Sequence, residues 1–258
     1  MLIALTRDVS PAMARCELTH RPREPIDVDL ARAQHRAYQA CLRTAGCRVE
    51  RLDAEPGMPD SIFIEDTAIV FDELAILTRP GAVSRRLETG AVADALRPYR
   101  PLHHIEPPGT VDGGDVLVIG ARVFVGRSTR TNDAGISQLR RLLAPYGYQI
   151  IPIEVRACLH LKSAVTAVRD DLVLTNSAWL PRDALVEFDR IEVHPGEPAA
   201  ANALRVGEQI IYPASFPRTM ERLQRRGLPI LSIDASEVAK AEGAVTCCSL
   251  VFSATTKS

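Results

Sequence analysis

Five polar residues recur along this sequence at almost equal intervals. They are Asp66, Asp112, His160, Asn202 and Cys247, and the intervals between them are 46, 48, 42 and 45 residues. A thiol, an imidazole and carboxylates are the groups that nucleophilic catalysis by cysteine requires. A thiol with an ordinary pKa of about 8.5 needs a cationic or basic partner to attack at neutral pH. If the fold brings these positions together, we expect Cys247 to be a nucleophile that His160 assists.

Each of these residues, taken alone, also fits a structural role. An Asp before Gly-Gly is common in turns, a single His at the start of a strand is usually structural, and free cysteines are mostly buried and inert. The pair Cys247-Cys248 lies in an apolar stretch, 243–252, that predicts a β-strand. Neighbouring residues of a strand point to opposite faces. We therefore assign Cys248 to packing and Cys247 alone to chemistry.

The equal spacing indicates a repeated unit of secondary structure. Apolar runs broken at polar or glycine-containing pairs predict four hairpins, at 61–78, 113–126, 161–174 and 202–212. Each hairpin is followed by a predicted helix and strand, and the helices include 87–96, 133–143 and 182–188. The stretch 243–252 begins a fifth unit, whose missing strand, helix and strand are supplied by residues 2–52. We expect one α/β domain over residues 1–258, in which five strand-strand-helix-strand units close a ring.

The first unit contains a long connection. Residues 8–25 form a polar segment, which is typical of a lid over a site or of a merely mobile loop. A helix is predicted at 27–45, with Leu30, Ala33, Ala37 and Cys41 on its apolar stripe.

Arginines cluster after the first two hairpins, at 78–86 and 126–132. A guanidinium can bind a carboxylate through two parallel hydrogen bonds. Ordinary solvated charge explains such arginines as well, so the clusters alone do not decide between a binding site and a surface.

The bulk composition excludes several classes of protein. The chain has 258 residues with a net charge of −1, which gives no field that would attract nucleic acid or an anionic membrane. No apolar run approaches the ~18 residues of a membrane span, and the start does not resemble a signal peptide. The six cysteines form no CxxC pair, which favours reduced thiols in the cytoplasm. No zinc or P-loop spacing occurs, so we expect no metal and no cofactor.

Several segments, spread over nearly the whole chain, together resemble the dimethylarginine dimethylaminohydrolase family. They are PDSIFIED (59–66), TRPG with SRR (78–86), DGGDV (112–116), STRTN (128–132), HLKS (160–163) and TCCS (246–249). The resemblance implies a five-bladed β/α propeller with pseudo-five-fold symmetry, which matches the predicted ring. It also implies a small methylarginine substrate. A homodimer is one arrangement that the sequence allows.

The resemblance also implies roles for individual residues. It makes Cys247 the nucleophile, His160 the general acid and base, and Asp112 the support of His160 and of the guanidinium. It further implies a set of substrate contacts, with acids at the guanidinium end, arginines at the α-carboxylate, and a lid residue and a backbone position near the α-amino group: Asp60, Glu65, Asp66, Arg85, Arg130, Leu18 and Ala241.

The implied reaction is hydrolysis of N-omega-methylated arginine to citrulline and a methylamine through a covalent thiouronium on Cys247. The bound guanidinium can itself stabilise the thiolate, so the thiol need not be acidic in the free enzyme.

An arginine or agmatine deiminase is an alternative, but the histidine motif of arginine deiminase resembles His-x-Asp, and position 162 here is Lys. A non-enzymatic propeller, such as a ribosome-binding factor, would not need Cys247 and His160 at matched positions.

Overall fold

The structure, a computed structural model, describes residues 1–254 of the 258-residue chain. Fifteen strands are present within these residues. They are β1 (Leu2–Arg7), β2 (Cys47–Leu52), β3 (Ala68–Val70), β4 (Ala75–Leu77), β5 (Leu102–His104), β6 (Val116–Ile119), β7 (Arg122–Arg127), β8 (Gln149–Glu154), β9 (Val165–Ala167), β10 (Leu172–Thr175), β11 (Asp189–Glu192), β12 (Leu204–Val206), β13 (Gln209–Pro213), β14 (Ile230–Ile233) and β15 (Leu250–Ser253).

The strands form five small sheets of three strands each, with one pairing scheme throughout. The orders are β15-β1-β2, β3-β4-β5, β6-β7-β8, β9-β10-β11 and β12-β13-β14. In each sheet the first two strands are antiparallel and the third is parallel to the second. A parallel third strand requires a crossover connection rather than a tight turn. The strand order of the predicted strand-strand-helix-strand units is confirmed, although between β10 and β11 a short 3-10 helix, Ser177–Trp179, stands in place of the predicted α-helix.

The two ends of the described chain meet in one sheet. Leu2 pairs with Ser253 in antiparallel register and with Cys47 in parallel register. The C-terminal strand thus takes the first place in a unit that residues near the N-terminus complete, as the sequence predicts.

Six α-helices are present among the described residues, and some are only a single turn. They are α1 (Val28–Thr44), α2 (Thr89–Leu96), α3 (Asp133–Leu143), α4 (Leu161–Ala164), α5 (Pro217–Arg225) and α6 (Ser236–Lys240). The helix predicted at 182–188 does not form; the chain turns there, with Leu185 at a φ of 55° and buried in the core.

Helix α1 begins where its sequence predicts but buries a different face. The Asp27 side chain accepts hydrogen bonds from the N–H groups of Asp29 and Leu30, a cap worth about 1 kcal/mol. The predicted stripe through Leu30, Ala33 and Ala37 is exposed. The buried face instead carries Ala31, Gln34, His35, Tyr38, Gln39 and Leu42.

Two polar side chains on this buried face, Tyr38 and Gln39, reach partners inside the protein. The hydroxyl of Tyr38 donates to the carbonyl of Val245 at 2.8 Å and lies 2.6 Å from Oγ of Ser249. Gln39 donates to Oγ1 of Thr6 at 3.1 Å. Tyr38 therefore braces both sides of the segment that contains Cys247.

Single helical turns precede the first strand of three units, where the sequence predicts strand. They are the 3-10 helices Ile64–Thr67 and Gly113–Asp115, and α4. The apolar pattern fits either a buried strand or a buried turn, since a run this short has no resolvable period. Asp66, Asp112 and His160 lie in or next to these turns.

Within residues 1–254 the apolar core consists of five clusters of buried side chains. Cys248 is a member of one cluster, together with Tyr38 and Val245. In residues 1–254, no helix combines the length and the hydropathy needed to cross a bilayer.

Candidate active site

Cys247 lies in a turn between α6 and β15, not in a strand, so the predicted strand at 243–252 is wrong for its first seven residues. Hydrogen bonds from three directions hold this turn. The carbonyl of Cys247 accepts from the N–H of Glu65 at 3.1 Å. The N–H of Thr246 donates to Oδ1 of Asn202 at 3.1 Å, and its hydroxyl donates to the Glu65 carboxylate at 2.8 Å. The thiol is therefore presented by a fixed turn.

His160 precedes α4 and is held by two carboxylates. Its Nε2 lies 3.0 Å from Oδ2 of Asp112, and its Nδ1 lies 3.9 Å from Oδ1 of Asp66. The ring packs directly on the backbone of Gly114, where an added Cβ would lie 2.6 Å from Nδ1 of His160. The Gly114 N–H in turn donates to Asp66 at 2.9 Å. Gly114, the second glycine of the DGGD segment, therefore leaves room for the imidazole.

The electrostatics of this centre favour a protonated imidazole and a neutral thiol. Burial alone would lower the pKa of His160, but the charge of Asp66 and the hydrogen bond to Asp112 raise it to about 9. Burial, followed by the negative charges of Glu65 and Asp66, raises the pKa of the Cys247 thiol well above its usual value. This direction agrees with the expectation that the thiol is not acidic in the free protein.

Asp66, Asp112 and His160 also have the composition of a cation site. One potential ligand atom from each lies within 4.8 Å of the others. Two of these atoms, Nε2 of His160 and Oδ2 of Asp112, already pair with each other. A planar guanidinium can donate hydrogen bonds to such carboxylates without displacing that pair. The absence of a metal from the reaction remains a prediction.

Eight of the ten predicted site residues line one cavity of about 20 Å³. They are Asp60, Asp66, Arg85, Asp112, Arg130, His160, Ala241 and Cys247. A space of this size holds about one water molecule. An amino acid could enter only if the cover over the cavity moved.

Leu18 and Glu65, the other two predicted residues, are not among those that line this cavity. Leu18 lies in the covering segment and packs against the cluster that contains Ala241. The Glu65 carboxylate pairs with Nζ of Lys162 at 2.7 Å and lines a separate cavity beneath. The backbone N–H of Glu65 thus contacts the turn that contains Cys247, while its carboxylate accepts hydrogen bonds from Lys162 and Thr246.

The two predicted carboxylate-binding arginines differ in their surroundings. Arg85 is buried, and its guanidinium pairs with Asp66 at 2.6 Å and with Glu88 at 2.8 Å. Arg130 is partly exposed, and its Nη2 donates to the hydroxyl of Thr19 at 3.0 Å. Arg85 is therefore paired with buried acids. Nη2 of Arg130 donates to a hydroxyl of the covering segment, and a ligand could replace that hydroxyl.

The covering segment, residues 17–21, rests on residues of the site. The N–H of Glu17 donates to both oxygens of Asp60 at 3.2 Å. The N–H groups of residues 19, 20 and 21 donate to the Glu242 carboxylate at 2.9, 2.5 and 2.5 Å. We call Asp60, Arg130 and Glu242 the lid seat. Glu242 was not predicted as a site residue. It follows Ala241 and has a φ of 58°, and no sequence motif indicates this geometry.

Comparisons with known proteins agree with the family resemblance found in the sequence. A family profile described as "N,N dimethylarginine dimethylhydrolase, eukaryotic" matches residues 18–186. A dimethylarginine dimethylaminohydrolase of Streptomyces coelicolor is 41% identical, over 96% of this chain and 95% of that protein. The Pseudomonas aeruginosa protein of the same name is 35% identical, over 87% of this chain and 90% of its own length.

The chain belongs to the dimethylarginine dimethylaminohydrolase family. Solved structures of the family superpose closely on it. A Cys→Ser variant from Pseudomonas aeruginosa with citrulline bound has a TM-score of 0.92 at 32% identity, covering 96% of this chain and 98% of that one. A His→Gly variant in adduct with S-methyl-L-thiocitrulline has a TM-score of 0.93, also at 32% identity, covering 98% and 100%.

A likeness in fold alone extends beyond the family. The N-terminal domain of ArgZ, trapped with a covalent reaction intermediate, has a TM-score of 0.84 at 17% identity, covering 98% of each chain.

Proposed function

We propose that this chain hydrolyses N-omega-methylated arginines, such as asymmetric dimethylarginine and monomethylarginine, to citrulline and a methylamine. The observation that carries the proposal is the single cavity onto which Cys247, His160, Asp66 and Asp112 open. Its acids suit a delocalised cation, and its thiol and imidazolium suit attack on the central carbon of that cation. Family membership agrees with this assignment.

In the first half of the proposed reaction, the guanidinium lies against Asp66 and Asp112, and its positive charge favours loss of the Cys247 proton to solvent. The thiolate adds to the central carbon and gives a neutral tetrahedral adduct. Protonated His160 then donates a proton to the nitrogen of the methylated amine. The C–N bond breaks, the amine leaves, and a cationic thiouronium remains on Cys247. General acid catalysis of this kind contributes roughly 10²–10⁴ in rate.

In the second half, neutral His160 takes a proton from water, and the hydroxide adds to the thiouronium carbon. Collapse of this adduct breaks the C–S bond, and the hydroxyl proton passes to the departing thiolate, which restores the thiol and gives citrulline. Asp112 holds the imidazole through Nε2 during both proton transfers.

The amino-acid end of the substrate is proposed to lie under the covering segment. Arg130 would bind the α-carboxylate, with Arg85 behind it, and the backbone at Ala241 would receive the α-amino group beside Leu18. Asp60 and Glu65 would support the substrate side of the site from the lid seat and from the nucleophile turn. Arg130 can exchange its bond to Thr19 for a bond to the carboxylate.

We also propose that the five sheets close into one five-bladed β/α propeller over a single domain, because all five share one pairing scheme and the two ends meet in one sheet. All six cysteines are unpaired, which fits a reducing compartment such as the cytoplasm.

The proposed function is tested by incubating the protein with asymmetric dimethylarginine and, separately, with arginine, and measuring citrulline. We expect the methylated substrate to be preferred, and Cys247→Ser to lower the rate at least about 10³-fold. Cys41→Ser, on a partly exposed thiol of α1 outside the cavity, is the matched control and should keep wild-type activity. No citrulline from either substrate would refute the hydrolase, and a preference for arginine would make the chain a deiminase.

A further inference from the structure

Asp115 ends the DGGD segment and has no role in the proposed reaction. Its side chain is fully buried and is not among the described residues that line the cavity with Cys247. One carboxylate oxygen accepts from the hydroxyl of Ser128 at 2.6 Å, and the other accepts from the N–H of Leu161 at 2.9 Å. A single carboxylate therefore ties together two segments that are distant in the sequence.

The bond to Ser128 fixes the segment that carries Arg130. Oγ of Ser128 also accepts the N–H groups of Arg130 at 3.0 Å and Thr131 at 3.2 Å. The hydroxyl of Thr131 in turn accepts the N–H of Asp112 at 3.1 Å. The turn that places the Arg130 guanidinium at the cavity thus depends on the orientation of one hydroxyl, which Asp115 sets.

The hydrogen bond from the N–H of Leu161 to Asp115 fixes the segment that carries His160. Leu161 directly follows His160, and its N–H begins the single turn α4. Asp112 orients the imidazole at its far end through Nε2, while Asp115 holds the backbone from which that side chain extends. Together the two acids of the DGGD segment determine where the ring lies.

The chemistry of this position calls for a carboxylate. The hydroxyl oxygen of Ser128 already accepts two N–H groups, so this hydroxyl donates its own proton to Asp115. The N–H of Leu161 can act only as a donor. Ser128 and Leu161 are therefore both donors, and Thr131 gives Asp115 a further side-chain hydrogen bond. An ionised carboxylate accepts from all of them, whereas an amide offers one acceptor and one donor group. Gly126 leaves the necessary room, since a Cβ there would lie 2.5 Å from Oδ1 of Asp115.

We propose that Asp115 is a positioning residue that couples the α-carboxylate-binding turn at Ser128–Thr131 to the His160 segment, so that the amino-acid end and the reacting end of the substrate are held in fixed relation. The proposal rests on the proposed function for the identity of the ligand. Asp115 touches neither the substrate nor the reacting atoms, and acts through Ser128 and Leu161.

The test uses Ser128→Ala, Asp115→Asn and the double variant, with Ser137→Ala on the exposed side of α3 as control. Two readouts separate the two ends of the site. Calorimetric binding of citrulline reports the amino-acid end without turnover. Alkylation of Cys247 by 2-chloroacetamidine, followed by mass spectrometry, reports the reacting end, because this amidinium has no carboxylate.

We expect Ser128→Ala and Asp115→Asn each to weaken citrulline binding on the order of tenfold. The double variant should add little to either one, because both changes break the same bond. In Asp115→Asn the amide oxygen still serves Leu161 N–H, so alkylation should stay within about twofold of wild type. Ser137→Ala should change neither readout.

Unchanged citrulline binding in both single variants would overturn the proposal, as would fully additive effects in the double variant. A parallel fall of binding, alkylation and melting temperature would also overturn it, because that pattern describes a general loss of folding. If the wild type binds citrulline but produces none from methylarginine, the proposed function fails, and the pattern among the variants still decides the role of Asp115.

Discussion

The acid–base centre, formed by Asp66, Asp112, His160 and Arg85, differs from the lid seat in how its charges are satisfied. In the centre every one of these side chains is buried and is paired with another charged group. In the lid seat, Asp60 and Glu242 accept backbone N–H groups of the covering segment, and Arg130 donates to a hydroxyl.

This difference separates what must stay fixed from what must move. Buried paired charges cannot separate without a large desolvation cost, so the centre keeps one geometry. In the lid seat, Arg130 and Glu242 are partly exposed, so their hydrogen bonds can be exchanged for bonds to water or to a ligand at little cost, whereas Asp60 is buried. The centre is therefore built in advance of binding, while the lid seat offers groups that a substrate can take over.

The largest effect is expected at the centre. Asp112 accepts from two sides, from Nε2 of His160 and from the N–H of Gly81, so an amide would face a donor with its own NH₂. Asp112→Asn should therefore lower kcat by roughly 10²–10⁴ while citrulline binding changes little. Steady-state kinetics and calorimetry measure the two quantities.

Asp133→Asn, on the exposed first turn of α3, is the control for this charge change and should keep kcat within about twofold. If Asp112→Asn loses binding and kcat in equal measure, the carboxylate acts in ground-state binding, and the contrast with the lid seat is lost.

The centre was largely predictable from the sequence, although its secondary structure was not. The equal spacing of Asp66, Asp112, His160 and Cys247 marks one position of a repeated unit, and a repeat places equivalent residues together whatever their local conformation. The strand expected around Cys247 was wrong because hydrogen bonds from Tyr38, Asn202 and Glu65 hold a turn there. These partners are distant in the sequence, so no local pattern could report them.

The lid seat was much less predictable. Residues 8–25 were expected to contain a lid, but nothing in the sequence connected it with Glu242. The donors are backbone N–H groups, which every residue but proline carries, so the contact leaves no trace in residue types. In the same way, Arg85 and Arg130 look alike as members of arginine-rich segments and are distinguished only by the acids packed around Arg85.

The second prediction sets these two arginines against each other. Arg85→Gln removes the guanidinium that pairs with Asp66 and Glu88 inside the protein, so that Asp66 keeps only the His160 imidazolium as a cationic neighbour, and should cost about 3–5 kcal/mol in the free energy of unfolding. Arg130→Gln removes a partly exposed group, so it should leave stability within about 0.5 kcal/mol. It should instead weaken citrulline binding roughly 10- to 100-fold, because it removes the charge-assisted hydrogen bonds that we propose to the α-carboxylate. Urea denaturation and calorimetry measure these effects.

Arg140→Gln, at an exposed position of α3, is the matched control and should alter neither stability nor binding. Equal losses of binding with unchanged stability in both arginine variants would mean that the two residues act alike, and that Arg85 is not primarily a structural cation.

The smallest effect is expected at Glu242. Glu242→Gln retains an acceptor for the covering segment but removes its charge, which weakens three backbone hydrogen bonds without breaking the fold. Amide hydrogen exchange at residues 19–21 should accelerate, and citrulline binding should weaken about two- to fivefold, since charged acceptors make stronger bonds than neutral ones. Glu208→Gln, in the exposed turn between β12 and β13, provides the control. Exchange at residues 19–21 that does not change in Glu242→Gln would show that the covering segment is held by Asp60 and by packing of Leu18, and the lid seat would then be as fixed as the centre.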